Sequence, residues 1–102
     1  MNQPELFDIV ELLVDLPDEN LSIGTHGTIV ESYRDNNYEV EFSNSIGETI
    51  ALCTLSSNQF IVVWQAQTKR WLSLTEQLTD VMNKLDTQHQ KKVLQFALSL
   101  KN

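Results

Sequence analysis

The feature that most narrows the fold of this chain is a change of hydropathy period just after Trp64. Ahead of that point apolar and polar residues alternate; beyond it apolar residues recur at helical spacing. The alternation is cleanest in Tyr38-Glu39-Val40-Glu41-Phe42. Successive side chains of a strand point to opposite faces, so Glu39 and Glu41 belong to the solvent side of a half-buried strand. Five runs of this kind, near residues 7–14, 28–33, 38–42, 49–55 and 60–64, are separated by turn-forming residues, the pattern of a small sheet or barrel. Pro17, between Asp15 and Asp18, closes the first run and opens an acidic loop that lasts to Gly24. Asn36 and Asn37 tolerate a left-handed backbone and predict a hairpin between the second and third strands. Gly24, Gly27 and Gly47 read as turn residues that need positive φ.

After Trp64, Leu74, Leu78, Val81, Met82 and Leu85 form one stripe at i, i+4, i+7, i+8 and i+11. Ser73, with Glu76 three residues on, has the form of a capping box and predicts where that helix begins. Asp86-Thr87 interrupts the pattern, and Thr87 with Gln90 repeats the cap signature ahead of a second helix carrying Val93, Leu94, Phe96, Ala97, Leu98 and Leu100. The simplest reading divides the chain into a β-barrel over residues 1–68 and a helical hairpin over residues 69–102. Helices this short are marginal alone in water, so their stripes need cover. Leu78, Val81, Met82, Leu94, Phe96 and Leu98 are therefore candidate partner-contact residues, and a homodimer is expected.

Charge divides at nearly the same place. Residues 1–68 hold eleven carboxylates against Arg34 alone, a formal −10, whereas residues 69–102 hold six bases against three acids, +3, for a net −7. Binding to a nucleic acid backbone or an anionic membrane depends on Lys and Arg, so the acidic part disfavours both and favours a basic or apolar protein partner. At 102 residues the chain has room for one core and little for a deep substrate cleft. Glu5 and Asp8 precede any long apolar run, unlike a secretory leader, and no stretch approaches the length of a membrane span. Cys53 is the only cysteine. A reducing, cytoplasmic setting is the expectation.

No pattern of nucleophile, base or metal ligands emerges. His26 in a turn and His89 near a helix start lack the spacing of a metal site, and Asp15, Asp18 and Glu19 lack the pattern of a calcium loop. Cys53, inside the run IALCTL, reads as a buried thiol. The sequence thus predicts a non-catalytic binding protein without cofactor or metal. Its candidate contact residues on the sheet are Glu31, Glu39 and Glu41, whose like charges on neighbouring strands cost stability unless compensated. Trp71, next to Lys69 and Arg70, joins them, because Trp and Arg are enriched at binding hot spots.

The motifs Glu5-Leu-Phe-Asp8, Asp15-Leu-Pro17, Gly24, Gly27-Thr-Ile-Val-Glu31, Tyr38–Phe42, Gly47-Glu-Thr49 and Thr54-Leu55 resemble those of a family of small bacterial proteins catalogued as a domain of unknown function. The resemblance implies a mainly β fold, a small five-stranded SH3-like barrel followed by the C-terminal α-helical hairpin. The turn around Gly27 is also similar to that of KOW-type barrels, which implies contact with RNA or ribosomal protein. The tail from Ser73 onward resembles the helical ends of antitoxin-like proteins. Together these imply an antitoxin or immunity-type protein that occludes a basic or apolar partner, with a regulatory or assembly subunit of a larger complex as the alternative.

Overall fold

The computed structural model describes residues 3–101. Its sheet is built from β1 (Ile9–Leu12), β2 (His26–Ser32), β3 (Asn37–Ser43), β4 (Thr49–Ser56), β5 (Phe60–Gln65) and β6 (Arg70–Trp71), followed by α1 (Leu74–Asn83) and α2 (Thr87–Ser99). The mainly β architecture with two C-terminal helices is the expected one. All pairings are antiparallel, in the order β4-β3-β2-β1-β5-β6. The sheet is not closed: β4 passes to β5 through a 3-10 turn, Ser57–Gln59, without pairing with it. An open sheet of six strands therefore stands where a five-stranded barrel was expected.

Alternation dictates which face is buried. Tyr38, Val40 and Phe42 are 3% exposed or less and point into the core with Val10, Leu12, Ile29, Leu55 and Phe60. The Tyr38 and Phe60 rings meet edge to face at 5.7 Å. Glu39 and Glu41 stay half-exposed on the other side. Asp35 and Asn36 supply the left-handed residues of the β2–β3 hairpin, with φ of 61° and 60°. Gly24 and Gly47 are turn glycines with φ of 90° and 85°. Gly27 is not. It lies inside β2, buried, and a Cβ there would come within 2.7 Å of both Phe42 and Val40. Its glycine serves close packing between strands.

The sixth strand is the element missed in the sequence. Gln65 to Arg70 reads as a connector, but Lys69 adopts φ 52° and folds the chain back so that Trp71 pairs with Trp64. The sheet thereby runs on to Trp71, past residue 68.

Ser73 caps α1 as expected, in a reciprocal box with Glu76. For α2 the cap is Asp86, whose carboxylate accepts the His89 backbone N–H at 2.8 Å; Thr87 is the first helical residue. The two helices do not pack as a hairpin. α1 lies against β5, where Ile61 and Val63 are buried outside the main core cluster. α2 is joined to α1 through the Gln90 side chain, which donates to the Met82 carbonyl at 2.7 Å, and forms no extended interface with any other element. None of its residues is buried. The molecule is accordingly elongated, 45 × 31 × 29 Å, with a radius of gyration of 14.7 Å against about 13 Å for a compact chain of this length. No helix among the described residues is long and apolar enough to cross a membrane.

Candidate functional site

The outer face of the sheet gathers most of the candidate contact residues. The pairing register lays one row across all six strands: Trp71 opposite Trp64, Trp64 opposite Ile9, Ile9 opposite Thr28, Thr28 opposite Glu41, and Glu41 opposite Leu52. A β-bulge between Ile9 and Val10 keeps Trp64 on this outer row while Val62 packs against the core. Glu41 and Trp71 line one shallow depression with Ile9, His26, Thr28 and Ser43. The Trp71 indole is 59% exposed and stands edge-on to Trp64, centroids 6.5 Å apart. At the other edge of the sheet, on β4, Ile50 and Leu52 are more than half exposed, Leu52 opposite Glu41.

Glu31 and Glu39 are directly opposite each other on β2 and β3. Like charges in that position destabilise a strand pair. Hydroxyl donors offset the cost at Glu39, whose Oε1 accepts from Thr54 Oγ1 at 2.8 Å and from Tyr33 Oη at 3.2 Å. The Tyr33 phenol is raised above its ordinary value, first by lost hydration and then by Glu39 and Glu31. Glu41 accepts from Thr49 Oγ1 at 2.7 Å, and Glu31 from the Ser32 backbone N–H at 3.0 Å. The ion pairs among the described residues are Glu11 with His26, Glu76 with Arg70, Asp80 with Lys84 and Asp86 with His89. None involves Glu31, Glu39 or Glu41. Three carboxylates thus share one face, Glu39 and Glu41 held by hydroxyls and Glu31 by a backbone N–H, with no ion-paired base among the described residues.

Arg70 is committed elsewhere. Its guanidinium binds Glu76 through two bonds of 2.9 and 3.0 Å, and with the Ser73 N–H it holds the Glu76 carboxyl down at about 2. This pair ties β6 to the start of α1, so Trp71, and not Arg70, is presented on the row.

The helical candidates form a second, separate group. Leu94, Phe96 and Leu98 on α2 are 55%, 67% and 60% exposed, and Leu78 on α1 is 52% exposed. Val81 and Met82 are half-buried instead, on the helix that lies against β5. A cleft of about 480 Å³ opens between α1 and the sheet, floored by Phe60, Val62 and Leu72 and edged by Asp8, Glu76 and Asp80.

Two residues escaped sequence reasoning. Asp8 is a buried carboxylate, 3% exposed, that accepts the Glu5 N–H on one oxygen and the Ala66 N–H on the other, both at 2.9 Å. It stitches the N-terminal turn to the β5–β6 hairpin 58 residues away, a long-range role without a local signal. Phe7, its neighbour, is an exposed aromatic with φ 72°, a conformation that costs a non-glycine residue on the order of 1 kcal/mol. Cys53 is buried, and loss of hydration raises its thiol above the ordinary value, as suits an inert side chain.

Fold and site together define a small antiparallel β-sheet domain with a helical tail. The chain belongs to the family described as Domain of unknown function (DUF4926), whose match covers residues 6–62. That span takes in Glu31, Glu39 and Glu41 and stops short of Trp71 and both helices. No curated protein and no solved structure matches the chain.

Proposed function

We propose that this protein is a non-catalytic interaction module of the antitoxin or immunity type, which uses the outer face of its sheet to cover a basic protein partner. The observation that carries this reading is the cluster of Glu31, Glu39 and Glu41 on one face, without an ion-paired base and beside the exposed Trp71. Such a face offers an aromatic anchor inside a negative field, and complementary charge speeds encounter with a positive surface. The formal −10 over residues 1–68 extends that field well beyond the three residues. A bacterial, cytoplasmic setting is part of the same proposal.

Affinity capture from a cell extract tests it. The wild-type chain is expected to retain a basic protein that is released by added salt and is not retained by the E31Q/E39Q/E41Q variant. Capture that ignores both salt and the substitutions would refute the acidic face as the contact. Where the captured protein has an activity of its own, an equimolar amount of this chain should suppress it.

A further inference from the structure

We propose that the outer sheet face also receives α2 of a second copy of this chain, the two copies exchanging their helices about a two-fold axis. The inference rests on the sheet face being a protein-docking surface and names one occupant for it.

Three observations converge. First, α2 is unsupported within its own chain: it contains no buried residue, yet Leu94, Phe96 and Leu98 are each more than half exposed. Its 13 residues are close to the length at which an isolated helix is marginal in water. Second, α2 has the charge that the sheet lacks. Between Thr87 and Ser99 it carries Lys91 and Lys92 and no acid. At 100° per residue Lys91 falls beside Leu98, seven residues on, and Lys92 beside Phe96, four residues on. The two ammonium groups therefore flank the two borders of a wide apolar stripe. The sheet face presents the complement, apolar Ile50, Leu52 and Trp71 with the carboxylates of Glu31, Glu39 and Glu41 among them. Third, the dimensions agree. A 13-residue helix is about 20 Å long, and the row from Leu52 to Trp71 crosses six strands, about 24 Å.

Docking within one copy is not what the fold provides, since α2 leaves α1 without forming an extended interface with the sheet. Reciprocal exchange between two copies buries both apolar stripes and pairs both sets of charges in one closed assembly, the commonest symmetry of oligomers. A foreign basic partner would then compete with the second copy for the same face.

Sedimentation equilibrium of the full chain over a range of concentrations, with charge-reversed variants, tests the assignment. The wild type is expected to dimerise. K91E/K92E, which alters only exposed residues of α2, and E31K/E41K on the sheet should each weaken the dimer about tenfold or more. The four-residue combination should recover most of that loss, because the reversed charges again oppose one another. F96D/L98D should be monomeric, with a sheet that still unfolds cooperatively in urea. A wild type that stays monomeric throughout, or a dimer indifferent to K91E/K92E, overturns the proposal. The monomeric F96D/L98D chain separates this failure from that of the sheet-face reading: if it still captures a basic protein in a salt-sensitive way, the face stands as a docking surface whatever the second copy does.

Discussion

At the scale of single residues, the strongest constraints are steric and electrostatic contacts that local patterns do not display. Gly27 is the clearest. A methyl group at this position would meet the fully buried Phe42 ring and Val40 at 2.7 Å, and neither can swing away into solvent. Gly27→Ala is expected to destabilise the protein by about 2 kcal/mol through overpacking, read as a lower urea midpoint at unchanged slope. Glu76 makes a prediction in pH. Its folded-state value is lowered from 4.5 to about 2 by Arg70 and then Ser73, so its contribution is present above the unfolded value and is lost as pH falls. Glu76→Gln keeps a residue that can complete the capping box and removes the charge. The gap in urea midpoint between wild type and this variant should hold steady from neutrality to about pH 5 and close between 4.5 and 2. The residue-scale features that were legible in the sequence were those with a periodic signature. The alternation of Tyr38 to Phe42 announces which side is buried, whereas Asp8 acts across 58 residues and leaves no local mark.

At the scale of elements, the comparison of the two helices is informative. Ser73 and Glu76 form the box that their spacing suggests, and α1 starts there. α2 begins one residue earlier than Thr87-Gln90 implied, because the Asp86 carboxylate takes both the His89 N–H and its ring Nδ1 at 2.8 Å. Two adjacent residues can each serve as a cap, and only backbone geometry chooses between them. Asp86→Ala removes the N-cap from a helix with no packing to offset its loss. Far-ultraviolet circular dichroism at low protein concentration should therefore show a larger loss of helicity for Asp86→Ala than for Ser73→Ala, whose helix leans on β5. β6 was hidden for a related reason: its turn uses Lys69 at positive φ, a position that glycine or asparagine would have advertised. The strand shows itself in the pairing of Trp64 with Trp71 and of Gln65 with Arg70.

At the scale of the whole molecule, the acidic sheet and the helices that follow it are related differently from the expected arrangement of a barrel and a helical hairpin. The helices do not close on each other, and α2 leaves the sheet's outer face open. Period and composition specify that a stripe must be covered; they do not specify by what, because intramolecular and intermolecular burial follow the same pattern. The acidic candidates fared differently. Glu39 and Glu41 were placed on the solvent face by alternation alone, and their grouping with Trp71 required the register of six strands. The family match over residues 6–62 covers the sheet carboxylates and not the helices. Carboxyl labelling of the monomeric F96D/L98D chain, free and partner-bound, read residue by residue in a mass spectrometer, is the most direct test of the acidic face. Labelling of Glu31, Glu39 and Glu41 should fall on binding while Asp15, Asp18 and Glu48 label as before; unchanged labelling at the three sheet residues, with protection confined to Glu76 and Asp80 beside the α1 cleft, would contradict it.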